Sequence, residues 1–109
     1  MDISYLNINI LPNEQWKEVC NQGGLYLISN MGRVISLKRT PRLLIQHPTI
    51  YGYLVVSLPL ENGISRNKSV HRLVCDAFLE KPEFKMQVNH KNGIRNDNRL
   101  SNLEWMTPS

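Results

Sequence analysis

The stretch that decides the fold runs over residues 86–106 and reads MQVNHKNGIRNDNRLSNLEWM. Its two ends are apolar and β-prone, which predicts short strands at residues 86–89 and 103–106. Between them the chain is crowded with asparagine, and Asn92-Gly93 is a strong turn signal. Asparagine side chains mimic backbone hydrogen bonds, so such a loop can be rigid without regular secondary structure. We therefore expect a strand–loop–strand unit that presents His90 at the start of its loop.

The segment before this unit has a helical period. Its apolar positions fall at i, i+3, i+4, i+7 and i+8, and they are Val70, Leu73, Val74, Ala77 and Phe78. This spacing predicts an amphipathic helix over residues 69–78, with Ser69 as its N-cap and Pro82 beyond its end. The polar face of that helix is expected to carry His71, Arg72, Cys75 and Asp76.

Residues 25–68 are typical of a small antiparallel sheet. The ranges 25–28 and 33–37 flank a tight turn and predict a hairpin. Further strands are expected at residues 42–46, 54–58 and 64–68, with a turn at Glu61-Asn62-Gly63. Upstream, residues 1–13 favour turns and read as a leader, while the core candidates are Trp16, Val19, Tyr26 and Ile28. The expected fold class is α+β.

Positive charge is concentrated in the middle of the chain. The net charge is +4, and residues 30–72 carry a single acidic residue, Glu61. The basic residues of this stretch are Arg33, Lys38, Arg39, Arg42, Arg66, Lys68 and Arg72. Such a block suits a polyanion, because neutralising phosphates releases counterions. A solvated face that keeps the chain in solution is the alternative.

Composition narrows the classes of protein that fit. The 109 residues form one small domain or two very small modules. No apolar stretch approaches the roughly 20 residues that span a bilayer, so we expect no membrane partner, and we expect no secretory signal. Cys20 and Cys75 form no Cys-x-x-Cys pair, so we expect no cysteine zinc site. Two free buried thiols in a reducing cytosol are expected, and one disulfide is the alternative.

His90 is surrounded in the sequence by polar residues that could orient its ring for proton transfer. Asn89 precedes it, and several more asparagines follow before Trp105. A loop carbonyl or the amide of Asn102 could hold the ring in one tautomer. A neutral imidazole can take a proton from water, and phosphodiester hydrolysis needs such a base together with a divalent ion. On spacing alone, a surface loop in which asparagines only fill turns is the competing interpretation.

These segments together resemble the HNH endonucleases of phages and mobile introns. The core of the resemblance is VHRLVCDAF at residues 70–78, VNHKNG at 88–93 and NRLSNLEWMT at 98–107. Upstream, EQWK at residues 14–17, YLISNMGRV at 26–34 and GYLVVSL at 52–58 resemble the nuclease-associated modular domain that often precedes such a core. The resemblance implies a modular DNA-binding region over residues 14–68 and a nuclease core over residues 69–109.

The resemblance implies a ββα-metal (His-Me) finger of the homing-endonuclease type that hydrolyses double-stranded DNA. His90 would be the general base that activates water, and Asn102 would brace the loop that positions it. Asn89 matches a metal-ligand position that is often Asp. The cofactor would be Mg²⁺ or Mn²⁺, because oxygen ligands and a phosphate suit hard cations. The products would carry a 5′-phosphate and a 3′-hydroxyl.

Basic residues are the candidates for contact with the DNA, mainly at its phosphates, which take the larger share of protein–DNA hydrogen bonds. They are Arg33, Lys38, Arg39, Arg42, Arg66, Lys68, Arg72, Lys91, Arg95 and Arg99. His71 is expected to be structural or to contact a phosphate, and a catalytic role is the alternative. The resemblance also implies a cytoplasmic protein of a bacterial or phage-infected cell.

The last helix of the finger is the part that this sequence leaves short. Thr107-Pro108 could open it, and the chain ends at Ser109, before the position where the family has a further metal ligand. With the neutral Asn89 as the one matched ligand, the metal site looks incomplete. The chain would then be a shortened or a degenerate nuclease, or water and DNA would complete the metal coordination. The alternatives to a nuclease are a DNA-binding module that has lost cleavage and a structural or protein-interaction domain.

Overall fold

The computed structural model describes residues 3–59 and 64–107 and has the α+β fold that the sequence predicts. Its strands are β1 (Trp16–Glu18), β2 (Tyr26–Ser29), β3 (Val34–Ser36), β4 (Arg42–Leu43), β5 (His47–Pro48), β6 (Leu54–Pro59), β7 (Ser65–Ser69), β8 (Gln87–His90) and β9 (Leu103–Met106). The helix α1 is Val70–Phe78, and short 3-10 helices cover Ser4–Leu6 and Leu100–Asn102. The predicted turn at Glu61-Asn62-Gly63 and the predicted helix start at Pro108 lie outside the described residues.

The strands pair antiparallel in three sheets. Strands β1 to β4 form the first sheet, β5 to β7 the second, and β8 with β9 a two-stranded third. The strands predicted over residues 25–68 thus divide between two sheets. The reason lies after β4: the chain leaves the first sheet at Leu43, and His47 pairs with Val55 of β6 instead. In the third sheet Val88 lies opposite Trp105, so β8 and β9 form the predicted strand–loop–strand unit.

The main hydrophobic core joins the first and second sheets, α1 and β9. Its buried members are Val19, Tyr26, Ile28, Val34, Val56, Leu58, Val70, Leu73, Val74, Cys75 and Leu103. These residues come from both of the regions predicted at residues 14–68 and 69–109. That boundary stays a prediction, and the side chains on its two sides share one apolar interior.

A second core lies on the other face of the first sheet. Ile3 and Leu6 of the N-terminal segment pack there with Trp16, Leu27 and Ile35, all buried. The prediction that residues 1–13 are a leader was wrong for this segment. Ile3 and Leu6 are three residues apart at one short 3-10 helix. A pattern of two apolar residues is too short for sequence periodicity to detect.

The helix α1 begins after Ser69 as predicted, but the Ser69 side chain makes no capping hydrogen bond. Cys75 was expected on the polar face and is instead fully buried in the main core. Both cysteines are free, and Cys20 is exposed rather than buried. None of the helices in the described part of the chain is long and apolar enough to cross a membrane.

Candidate active site

His90 is the last residue of β8, and it turns its ring into the protein, where only 8% of the residue is exposed. Its cross-strand partner, Leu103, belongs to the main core. Nε2 of the ring lies 2.8 Å from Oδ1 of Asn98, which is also buried. Sequence reasoning offered a loop carbonyl or Asn102 as the group that orients the ring. The structure gives that contact to the side chain of Asn98.

The Asn98 contact selects one tautomer of His90. With the amide oxygen of Asn98 toward the ring, Nε2 carries the proton, because a carbonyl oxygen only accepts hydrogen bonds. Nδ1 then holds the lone pair, and within residues 3–59 and 64–107 it has no hydrogen-bond partner. In this orientation of the Asn98 amide, the basic atom of the ring is Nδ1.

Asn102 closes the loop on itself, and its side chain makes no hydrogen bond to the His90 ring within the described part of the chain. Its Oδ1 accepts a hydrogen bond from the backbone N–H of Asn92 at 3.1 Å. Its Nδ2 donates to Oδ1 of Asn92 and to the carbonyl of Asp97, each at 2.9 Å. Its own carbonyl accepts from the N–H of Lys91 at 2.8 Å. These bonds tie the beginning of the loop to its end, which holds Asn98 within reach of His90.

The turn between β2 and β3 supports the same loop from outside. The N–H of Leu100 donates to the carbonyl of Asn30 at 2.7 Å. Gly32 has a φ of +80° and sits so close that an added Cβ would lie 3.0 Å from both the Cβ and the carbonyl oxygen of Asn98. Gln46 donates to the carbonyl of Gly32 at 2.7 Å. A turn of the first sheet thus fixes the position of the residue that orients His90.

Two aromatic side chains complete the wall around His90. The His71 ring lies edge-on to it with centroids 5.2 Å apart, and the Tyr53 ring lies at 6.0 Å. Burial, with added repulsion from His90 and Arg72, lowers the pKa of His71 to about 4. His71 is therefore neutral near pH 7, and its Nδ1 is buried with no hydrogen-bond partner among the described residues. This placement favours the structural role for His71.

Asn89 lies on the opposite face of the β8–β9 hairpin from His90, because successive strand residues alternate faces. Its cross-strand partner is Glu104, and Nδ2 of Asn89 donates to Oε1 of Glu104 at 2.8 Å. No group of three or more His, Cys, Asp and Glu side chains suited to a metal ion occurs among the described residues. The oxygen donors present nevertheless fit Mg²⁺, which keeps several waters and binds one or two carboxylates together with substrate phosphates.

Arg33 has a structural role that the sequence did not predict. Its guanidinium forms an ion pair with Glu14, with Nε 2.8 Å from Oε2, and Nη2 also donates to the carbonyl of Asn9 at 2.7 Å. Burial works to raise the pKa of Glu14, but the hydrogen bonds from Arg33 and from the backbone of Leu11 outweigh it and lower that pKa. Because Nε and Nη2 of the largely buried Arg33 bind groups inside the protein, Arg33 is not part of the DNA-contact surface proposed below.

The other predicted DNA contacts lie at or near the surface. Arg72 donates to the carbonyl of Met86 at 3.0 Å, Arg95 to that of Tyr51 at 2.7 Å, and Arg99 pairs with Asp97 at 2.7 Å. The remaining predicted contacts are half-buried or exposed, and they are Lys38, Arg39, Arg42, Arg66, Lys68 and Lys91.

Three residues of the site were not singled out by sequence reasoning: Asn98, Glu104 and Tyr53. Asn98 was one of several loop asparagines, and nothing local distinguishes a buried one. Glu104 could have been found, since pairing His90 with Leu103 in an antiparallel hairpin puts Asn89 opposite Glu104. Tyr53 reaches the site through a different sheet, which no spacing within residues 86–106 indicates.

The fold and site together define a small α+β protein in which a two-stranded finger carries one oriented histidine beside oxygen donors. Residues 14–59 match the family description "NUMOD4 motif", and residues 68–109 match "HNH endonuclease". The chain thus combines a NUMOD4 motif with a C-terminal segment that matches HNH endonucleases.

Individual relatives agree with this assignment. The chain is 40% identical over 100 residues to "Uncharacterized HNH endonuclease L247" of Acanthamoeba polyphaga mimivirus, covering 89% of this chain and 25% of that protein. It is 37% identical over 93 residues to "DNA endonuclease I-HmuI" of Bacillus phage SP01, covering 85% of this chain and 52% of that protein. The solved structure "DNA binding and cleavage by the HNH homing endonuclease I-HmuI" matches with a TM-score of 0.77 at 34% identity, over 85% of this chain and 52% of that one. The chain thus spans between a quarter and a half of these relatives.

Proposed function

We propose that this chain hydrolyses phosphodiester bonds in double-stranded DNA, with His90 as the general base. The observation that carries the proposal is the contact between Nε2 of His90 and Oδ1 of Asn98, which leaves Nδ1 as the basic atom. The relative I-HmuI is a homing endonuclease that binds and cleaves DNA, which supports DNA as the substrate.

In this mechanism Nδ1 of His90 takes a proton from a water molecule as the oxygen of that water attacks phosphorus. The bond between phosphorus and the 3′ oxygen breaks, which leaves a 5′-phosphate and, after protonation, a 3′-hydroxyl. The imidazolium formed keeps its Nε2–H on Asn98, so the ring does not rotate during the transfer. Asn102 holds the loop through its bonds to Asn92 and Asp97.

Asn89 is the proposed ligand for Mg²⁺ or Mn²⁺. Such a cation would stabilise negative charge on the phosphate and on the leaving oxygen. Asn89 and His90 are consecutive residues, with Cα atoms about 3.8 Å apart. A phosphate bound across the end of β8 would therefore lie near both residues, whose side chains face opposite sides of the hairpin.

Basic residues at the surface are the proposed contacts to the DNA backbone. We propose Lys38, Arg39, Arg42, Arg66, Lys68, Arg72, Lys91, Arg95 and Arg99 for this role. Arg95 is the best placed, since its guanidinium lies 5.2 Å from the centre of the Tyr53 ring, beside His90. A cytoplasmic location in a bacterial or phage-infected cell stays a prediction.

Plasmid nicking tests the proposal. Supercoiled plasmid is incubated with the 109-residue chain and Mg²⁺ or Mn²⁺, and the same assay is run with His90→Ala and with His47→Ala. His47 is exposed in β5 and serves as the matched control. We expect nicked or linear DNA from the unmodified chain and from His47→Ala, and cleavage slower by at least about 100-fold from His90→Ala. No cleavage by the unmodified chain, or equal cleavage by all three, refutes the proposal.

A DNA-binding module without cleavage is the second candidate, and the neutral side chain at Asn89 favours it. It predicts affinity for duplex DNA that falls steeply with salt, with no cleavage in any divalent metal. Failure to bind DNA at low salt would remove both candidates.

A further inference from the structure

The Asn89 side of the hairpin carries a carboxylate that the proposed mechanism does not use. Glu104 is exposed and lies opposite Asn89 in the β8–β9 ladder, so the two side chains share a face. Among the described residues, no ion pair involves Glu104. Its polar partner is Nδ2 of Asn89, at 2.8 Å. A solvent-facing carboxylate without a cation stands beside the residue that occupies the metal-ligand position.

From this pairing we infer that Glu104 supplies the anionic oxygen ligand of the divalent-metal site, together with the neutral amide oxygen of Asn89. The inference rests on the proposed function only for the presence of that site. It assigns to β9 the negative charge that a neutral side chain at position 89 cannot provide. Hard cations depend on such charge, because affinity follows the number of charged oxygen ligands.

The distance between the two side chains fits this role. The amide of Asn89 can turn over, which exchanges its oxygen and nitrogen at little steric cost because the two ends have nearly the same shape. Its Oδ1 would then stand where Nδ2 stands, 2.8 Å from Oε1 of Glu104. Two neighbouring oxygens around an octahedral Mg²⁺ at about 2.05 Å are separated by about 2.9 Å. The existing hydrogen bond therefore spans about one edge of such an octahedron.

The strand ladder holds the pair in register. Residues on both sides are also paired, with Val88 opposite Trp105 and His90 opposite Leu103. Leu103 is buried in the main core, and the indole of Trp105 donates to the carbonyl of Glu80 at 3.0 Å. Because its neighbours are fixed, Glu104 reaches Asn89 from a rigid strand, which is the kind of support that a metal ligand needs.

Metal affinity measured without DNA tests the inference separately from cleavage. Mn²⁺ is titrated into the 109-residue chain, and free Mn²⁺ is followed by its electron paramagnetic resonance signal. The variants are Glu104→Gln, Asn89→Ala and the control Glu83→Gln, which removes a charge from another exposed site. We expect Glu104→Gln to weaken Mn²⁺ binding by about 10–100-fold or more, because even loss of a residue that only supports a metal ligand costs that much. The Mn²⁺ affinity of Glu83→Gln should stay within about twofold of the unmodified chain, since Glu83 is not paired with Asn89.

The outcomes separate the inference from the proposed function. Equal Mn²⁺ affinity for Glu104→Gln and the unmodified chain overturns the role of Glu104, and plasmid cleavage by the unmodified chain would then leave the nuclease proposal standing. If Glu104→Gln loses Mn²⁺ binding and the unmodified chain cleaves no plasmid, the ligand role of Glu104 is supported and the nuclease proposal is rejected. The absence of saturable Mn²⁺ binding by the unmodified chain through the millimolar range overturns the inference.

Discussion

Replacing Gly32 by alanine should slow DNA cleavage through a contact made outside the β8–β9 finger. The new Cβ would lie 3.0 Å from both the Cβ and the carbonyl oxygen of Asn98, so that either Asn98 or the turn must move. A shift of Asn98 weakens its 2.8 Å contact with Nε2 of His90. Leaving a buried polar group unpaired costs about 1–3 kcal/mol. If the activation free energy of cleavage rises by this amount, cleavage slows by about 5- to 150-fold.

The control is Gly23→Ala, in the turn between β1 and β2. Gly23 also has a positive φ, +62°, but an added Cβ there meets nothing within 4 Å. Both variants carry the cost of a left-handed alanine, about 1–2 kcal/mol of stability. The contact with Asn98 distinguishes them.

Single-turnover plasmid cleavage is measured at a temperature where unfolding curves find both variants folded. Nitrogen-15 shifts of the His90 ring report its tautomer in the same samples. We expect slower cleavage and a mixed tautomer in Gly32→Ala, and near-normal values in Gly23→Ala. Equal cleavage rates and one unchanged tautomer in both variants would refute the view that the β2–β3 turn positions the base.

Three further predictions concern stability. Arg33→Met leaves the buried Glu14 carboxylate without its partner and should cost about 3–5 kcal/mol in urea unfolding; a change below about 0.5 kcal/mol would mean that the pair is only a surface contact. Leu6→Ala should cost about 2–5 kcal/mol, since Leu6 is buried in the second core, and an unchanged unfolding midpoint would show that residues 3–6 do not contribute to the fold. The pKa of His71 is about 4 in the folded chain against an ordinary 6.5, so the unfolded chain binds the proton first and stability falls as pH drops through this window. Between pH 7 and 5, protonation of His71 should lower the free energy of unfolding by about 1–2 kcal/mol after solvent screening. His71→Phe should lose this pH-dependent destabilisation. An identical pH dependence of stability in the variant would contradict the lowered pKa of His71.

The sequence predicted the elements whose signals are local. The helix period beginning at Val70 and the two strands around the asparagine loop agree with α1, β8 and β9 to within a residue or so. Alternation and turn residues specify such units without reference to the rest of the chain.

What the sequence missed depends on contacts between distant segments. The division of β1–β7 into two sheets depends on which strand His47 meets, and the burial of Ile3 and Cys75 depends on what covers them. The candidate site follows the same rule. His90 was identified from its neighbours, whereas the roles of Asn98 and Arg33 became visible only with their partners from other segments.

In the proposed mechanism, Nδ1 of His90 removes the proton from the water that attacks the DNA. The most direct measurement is the single-turnover rate of plasmid cleavage in Mn²⁺ for the unmodified chain, His90→Ala and His47→Ala, each checked for folding. General-base catalysis contributes about 10²–10⁴-fold, so His90→Ala should be slower by at least about 100-fold while His47→Ala keeps the normal rate. A folded His90→Ala that cleaves at the rate of the unmodified chain would contradict the account.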